Sequence, residues 1–138
     1  MSVGSCIFCR IVQRQVPASF VFEDEKVMAF LDIRPLNEGH TLVIPKAHYE
    51  SIFDIPKERI AYLHGITKSI AIAVEKATKA DGISIIQQNG KASGQDIFHL
   101  HVHVIPRYEG QKLPSFSEIS DVDRKNLSKT AEKIRKYL

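Results

Sequence analysis

The period of the apolar residues changes along the chain, and each change marks an element. In residues 6–13, Ile7, Phe8, Ile11 and Val12 recur at helical spacing, and Pro17 lies beyond them as a stop. Residues 19–22 and 26–31 are short apolar runs around the acidic turn Glu23-Asp24-Glu25 and read as two strands. Residues 34–39 form a loop, and residues 40–44 (HTLVI) read as a strand ended by Pro45. Asp54 is placed to cap a helix whose start holds Pro56 and Glu58. That helix runs to about Lys79 on a stripe of Ile60, Leu63, Ile66, Ile70 and Val74, and ends at Ala80-Asp81-Gly82. Residues 83–88 read as a strand and residues 89–95 as a glycine-bearing loop. Residues 98–105 alternate strictly and Pro106 closes them. Ser120 with Asp123 resembles a capping box opening a basic amphipathic helix to about Tyr137.

This order predicts an α+β fold: a mainly antiparallel sheet of about five strands, one long helix, and short N- and C-terminal helices. No repeat or linker interrupts residues 1–138, so one domain is expected, large enough to bury a core without disulfides. Hydrophobic residues make up 43% and charged residues 25%, a globular composition that excludes disordered and collagen-like classes. No apolar run approaches the roughly 20 residues of a membrane span. Arg10, Gln13 and Arg14 interrupt the stretch a signal peptide would need, so a cytoplasmic protein is expected. A net charge of +3 is too mild to argue for nucleic acid but suits small anionic ligands.

Six histidines are many for this length. Three of them, His99, His101 and His103, stand at period two, so on a strand they share one face while Leu100, Val102 and Val104 take the other. One histidine on a strand face is commonly a plain hydrogen-bonded residue; three in register ask for chemistry. They fit metal ligation, or nucleophilic and acid–base work on a phosphate. At ~3.3 Å per residue, His99 and His103 start roughly 13 Å apart, so duties are expected to split along the row. Asn89-Gly90 and Gly94-Gln95 form a loop just before it, of a kind that offers backbone N–H groups to anions. The same loop also reads as a simple hairpin connection.

Cys6 and Cys9 form a C-x-x-C pair on the first helix, where i and i+3 share a face. In a reducing compartment a structural disulfide is disfavoured, leaving metal binding, redox chemistry, or two small buried residues. The βα junction of a thioredoxin-like site is missing. Cys6, Cys9 and His48 supply three of the four ligands a structural zinc needs. His64, mid-helix, reads as a surface side chain. The basic tail helix (Lys125, Lys129, Lys133, Arg135, Lys136) reads as a solvated face.

The run His99-Leu100-His101-Val102-His103-Val104-Ile105 resembles the signature of the histidine triad (HIT) family of nucleotide hydrolases and transferases. Phe30-Leu31-Asp32-Ile33, residues 39–46, Asn89-Gly90, Gly94-Gln95 and Ile105-Pro106-Arg107 also look like family motifs in family order. The resemblance covers about residues 6–107; the tail beyond carries none of it.

By position, the resemblance implies His101 as the nucleophile on an α-phosphate, with His103 at the phosphate oxygens and His40 bracing the triad. It implies Asp32 at the ribose hydroxyls, with Ile7, Phe8, Phe30 and Ile33 around the base. Asn89 and the Gly94-Gln95 backbone would lie near ribose and phosphate. It further implies a structural zinc ion held by Cys6, Cys9, His48 and His99. The chemistry agrees: neutral imidazole is available near pH 7, and a carboxylate accepts from two vicinal hydroxyls. One position departs. Family members acting on phosphoramidates often carry a hydroxyl residue after the loop glutamine, where this chain has Asp96. A carboxylate there repels phosphate unless it turns away, so Asp96 is left outside the expected site.

The expected function is hydrolysis of purine nucleoside 5′-phosphoramidates or acyl-adenylates at the α-phosphorus, through a nucleotidyl-histidine, releasing a nucleoside monophosphate. The competing readings are a dinucleoside polyphosphate hydrolase or nucleotidyl transferase, and a non-catalytic nucleotide- or zinc-dependent interaction module. The resemblance also implies a homodimer. Ile60, Leu63, Ile66, Ile70, Ile72 and Val74 spread over more than one face of the long helix, with Tyr62 and His64 beside them. Ile66 or Ile70 is the expected contact.

Overall fold

The computed structural model describes residues 3–116, 121 and 123–138. Among these the chain forms α1 (Ile7–Val12), β1 (Phe20–Glu23), β2 (Val27–Leu31), β3 (Thr41–Pro45), α2 (Lys57–Thr78), β4 (Gly82–Gln87), β5 (Val102–Arg107) and α3 (Arg124–Arg135). Single 3-10 turns lie at Val3–Ser5 and Lys91–Ser93. The strands make one antiparallel sheet in the order β1-β2-β3-β5-β4. This is the expected α+β, HIT-like architecture. No helix among the described residues is long and apolar enough to cross a membrane.

Alternation along the strands sorts side chains to the two faces of the sheet. On one face Val27, Ala29, Leu31, Val43, Val102 and Val104 pack with Leu63, Ile70 and Val74 of α2 and Leu127, Ala131 and Ile134 of α3. On the other, Met28, Phe30, Leu42 and Ile44 pack with Cys6, Phe8, Cys9 and Ile11 around α1. Both faces are covered, which explains why β2 and β3 are continuous apolar runs. Each fully buried Leu or Ile contributes roughly 1.5–3 kcal/mol of transfer free energy.

Five local expectations are corrected. The last strand starts at Val102 rather than residue 98, because the Leu100 N–H donates to the Tyr49 carbonyl at 2.7 Å and holds residues 99–101 off the ladder. It also runs through Pro106 to Arg107, since β3 pairing has stopped at Val104 and the missing N–H leaves no ladder bond unmade there. Asp54 does not cap α2: its carboxylate accepts from the Glu50 and Ser51 N–H groups, each at 3.0 Å, and the helix enters from Pro56. Ile70 is fully buried, so it belongs to the core and not to an exterior face. Asp123 is itself the N-cap of α3, accepting from the Lys125 N–H at 2.9 Å, and not the third helical residue that a capping box with Ser120 implies, so the helix opens at Arg124; Ser120 lies outside the described residues.

Gly39 sets the entry to β3. Its φ is +99°, and a Cβ there would lie 2.7 Å from Thr78 Cγ2. Only glycine fits both restrictions, and the next residue is His40.

Candidate functional site

A cleft of about 720 Å³ opens on the α1 side of the sheet. Ile7 and Phe8 of α1, Phe30 of β2, and Asp32 and Ile33 just after it line one end. His101, His103, Gly94 and Asp96 line the other. Phe8 joins the two ends: its ring meets Phe30 edge-on at 5.5 Å and His101 at 5.2 Å.

Hydrogen-bond partners fix the imidazole protons. His101 Nδ1 lies 2.8 Å from the His99 carbonyl, which only accepts. The proton is therefore on Nδ1, and the Nε2 lone pair is the one left for the cleft. The Leu36 N–H donates to His40 Nδ1 at 3.0 Å, so the His40 proton sits on Nε2. It is donated to His103 Nδ1 at 2.9 Å. His103 then carries its own proton on Nε2, leaving one N–H donor beside one free lone pair. The two rings lie 5.0 Å apart.

Burial holds these rings neutral. It lowers His40 to about 3 and His103 to about 4, with the neighbouring imidazoles adding to the effect. It also lowers His101, against the His99 carbonyl and the Asp96 carboxylate, which favour its charged form. With His40 neutral, its 3.6 Å approach to Asp32 Oδ2 is no ion pair. Asp32 is half-buried, accepts from the Arg34 N–H at 2.9 Å, and has its carboxyl pushed up by burial. Its other carboxylate oxygen, Oδ2, is the one near His40, and the residue lines the cleft.

The loop residues take a different place from the expected one. Asn89 Oδ1 accepts from the Ile52 N–H and from Gln87 Nε2, both at 2.8 Å, and does not line the cleft. Gln95 is buried; its Oε1 accepts from the Gly90 N–H at 2.7 Å and its Nε2 donates to the Glu50 carbonyl at 2.6 Å. The Gly94 and Gln95 N–H groups point to Lys91 and Gly90 carbonyls. The structure therefore brings Gly94 to the cleft and sets Asn89 and Gln95 behind it as braces. Asp96, left outside by sequence reasoning, lines it. So do Val16, Pro17, Ala18, Gln88, Ile97, Phe116 and Arg124. Phe116 stacks 5.0 Å from His103. As a lone aromatic in an unpatterned tail, it gave no periodic signal.

The second constellation stands where α1 meets the start of the triad. Cys6, Cys9, His48 and His99 bring one ligand atom each within 4.8 Å of one another. Cys6 Sγ lies 3.4 Å from His99 Nδ1, Cys9 Sγ 3.2 Å from His48 Nδ1, and the two Nδ1 atoms 3.2 Å apart. Tetrahedral ligands at zinc distances of about 2.0–2.3 Å are separated by about 3.3–3.8 Å. His99 Nε2 donates to the Pro45 carbonyl at 2.8 Å, so its Nδ1 lone pair faces the thiols. Burial pushes the Cys9 thiol up to about 12, with Cys6 beside it adding to the rise. The donor set fits a structural zinc ion held by these four residues, whose chemistry would be to tie α1 to the triad segment. His64 is exposed, as read from the sequence.

An antiparallel α+β sheet with a histidine row over an apolar cleft defines a small-ligand site of one recognisable class. Residues 13–110 match the profile of the HIT domain, and the chain belongs to that family. An uncharacterized HIT-like protein of Methanocaldococcus jannaschii is 44% identical over 120 residues, spanning 86% of this chain and 92% of its own. An adenylylsulfatase of Arabidopsis thaliana is 39% identical over 106 residues, 77% of this chain and 54% of its own. The crystal structure of a zinc-bound histidine triad family protein from Mycobacterium smegmatis superposes with a TM-score of 0.87 at 39% identity, covering 99% of this chain and 94% of that one.

Proposed function

We propose that this protein hydrolyses small nucleotide substrates of the purine nucleoside 5′-phosphoramidate or acyl-adenylate type at the α-phosphorus. The observation that carries the reading is the fixed His101 tautomer: Nδ1–H on the His99 carbonyl at 2.8 Å, with the Nε2 lone pair on the cleft side. His101 Nε2 attacks phosphorus, and the bond to the leaving group breaks with its electron pair going to the departing atom. Water then attacks the nucleotidyl-histidine, releasing the nucleoside monophosphate and returning His101 to its neutral form. The water supplies the new P–OH and, in net balance, the proton on the departing group. His103 Nε2–H stabilises negative charge on the phosphoryl oxygens, and His40 holds His103 in the donating tautomer. Asp32 accepts from the ribose hydroxyls, and Ile7, Phe8, Phe30 and Ile33 hold the base. Asn89, Gly94 and Gln95 act by shaping the loop. The adenylylsulfatase relative supports an adenylate as substrate.

The four-residue cluster is assigned as structural zinc, supported by its donor set and the zinc-bound relative. Two free cysteines suit a cytoplasmic setting. We further propose a homodimer that pairs through the edge strand β4 and the outer side of α2, a reading supported by the exposure of Ile85 at 50% and Ile72 at 43%. Tyr62 is less suited, because its hydroxyl donates to the Asp24 carboxylate within the chain.

The test is His101→Ala. Turnover of adenosine 5′-phosphoramidate is expected to vanish while nucleotide binding survives, and rapid quenching of the parent protein should trap acid-labile label. Near-parental kcat in the variant refutes the assignment. Binding without turnover in the parent protein favours the non-catalytic module.

A further inference from the structure

Asp96 follows the buried Gln95, whose three hydrogen bonds pin the loop from behind. The Asp96 side chain is exposed, yet it lines the same cleft as His101 and His103. Its charge acts on both of those rings, and on Asp32 across the cleft. Arg34 and Arg124 are the cationic side chains among the described lining residues. Neither serves the triad end by what it touches: Arg34 acts on Asp32, and Arg124 reaches the Pro17 carbonyl at 3.4 Å. Among the described lining residues, Asp96 therefore stands at the triad end with neither of the two cations shown in contact with it.

We propose that Asp96 makes the leaving-group end of the cleft selective for amine-bearing, positively charged groups and against anionic ones such as sulfate or a further phosphate. The inference rests on the proposed reaction for its substrate class. A cation on the leaving group gains Coulomb attraction to Asp96, whereas an anion meets its repulsion. The chain is accordingly expected to handle adenylyl sulfate poorly, although one relative is an adenylylsulfatase.

The test measures binding apart from chemistry. In the His101→Ala background, calorimetry compares two probes that share adenosine and the α-phosphate. One is adenylate joined through a phosphoramidate bond to diaminobutane, whose far ammonium stays charged; the other is ADP. The ammonium probe is expected to bind more tightly. Adding Asp96→Asn should shrink the ratio of the two dissociation constants about tenfold, the scale of one unit charge at several ångströms in a partly solvated site. Rising salt should erode the parental ratio and leave the Asp96→Asn ratio flat. A ratio unchanged within about twofold, or no binding of either probe, overturns the inference. The variant is exposed at this position, so misfolding does not confuse the reading. Kinetics on the intact triad separates the two claims. Turnover with an unmoved ratio sinks the Asp96 role alone, and a moved ratio without any turnover sinks the proposed hydrolysis alone.

Discussion

Replacing Gly39 by alanine tests how the fold delivers His40 to the site. The added Cβ would stand 2.7 Å from Thr78 Cγ2, while its next neighbours, Pro106 Cγ at 3.6 Å and Val74 Cγ1 at 3.7 Å, are ordinary contacts. Thr78 is β-branched and its hydroxyl donates to the Val74 carbonyl at 2.7 Å, so it has little freedom to turn away. Overpacking of this kind costs about 1–3 kcal/mol. The backbone at φ +99° adds about 1–2 kcal/mol for any side chain. The expected loss is thus about 2–5 kcal/mol, or a melting temperature lower by about 10 °C. Denaturant titration of four proteins (parent, Gly39→Ala, Thr78→Ser and the double variant) separates the two terms. Serine keeps the hydroxyl and removes Cγ2, so the double variant should recover at least about 1 kcal/mol of coupling energy and retain the backbone part of the loss. Activity in Gly39→Ala should fall with stability restored by low temperature, because His40 directly follows the displaced residue. A Gly39→Ala protein within about 0.5 kcal/mol of the parent, or a cycle with no coupling, refutes the argument.

Three further predictions concern metal, pH and assembly. Protein purified without added metal should carry near-stoichiometric zinc by elemental analysis, and Cys9→Ser should lose the metal and melt lower; a metal-free parent of full stability refutes the structural zinc. His40 and His103 have folded-state values of about 3 and about 4 against an ordinary 6.5, so their stabilising effect is complete above pH 6.5 and lost as pH falls toward those values. The unfolding free energy should drop by at most ~1.4 kcal/mol per pH unit per histidine, and His40→Asn should flatten that slope; an unchanged slope in the variant counts against neutral burial. Light scattering should give about twice the 15.6 kDa chain mass, reduced to a monomer by Ile72→Glu or Ile85→Glu with folding retained; a parental mass near 15.6 kDa refutes the dimer.

The element order and the sheet were legible because both faces of β2 and β3 are apolar and the long helix has a clean stripe. The triad was legible because period two is visible without a structure, and its alternation holds: Leu100, Val102 and Val104 do enter the core opposite the histidines. What failed depends on tertiary hydrogen bonds that leave no pattern. Leu100 leaves the ladder for Tyr49, Asp54 closes its own turn instead of capping α2, and Asn89 and Gln95 turn their amides inward. Ile70 and Ile72 look alike in the sequence, yet 0% and 43% exposure separate core from surface. Phe116 reaches the triad from a tail in which nothing periodic announces it.

The two constellations are one device at the level of His99. Its ring is held at both nitrogens, Nε2 by the Pro45 carbonyl at 2.8 Å and Nδ1 facing Cys6 at 3.4 Å. Its carbonyl accepts the His101 Nδ1 proton at 2.8 Å and so leaves the lone pair on Nε2. A residue fixed at its side chain has little freedom left to swing its carbonyl, because residues 99–101 have no strand partner and Leu100 is anchored separately to Tyr49 at 2.7 Å. The cluster of cysteines and histidines therefore does for this loop what ladder hydrogen bonds do for the rest of β5. That explains why the histidine row can begin before its strand does. The strand supplies the rigid register for His103, and the separately anchored segment before it supplies the orientation of His101.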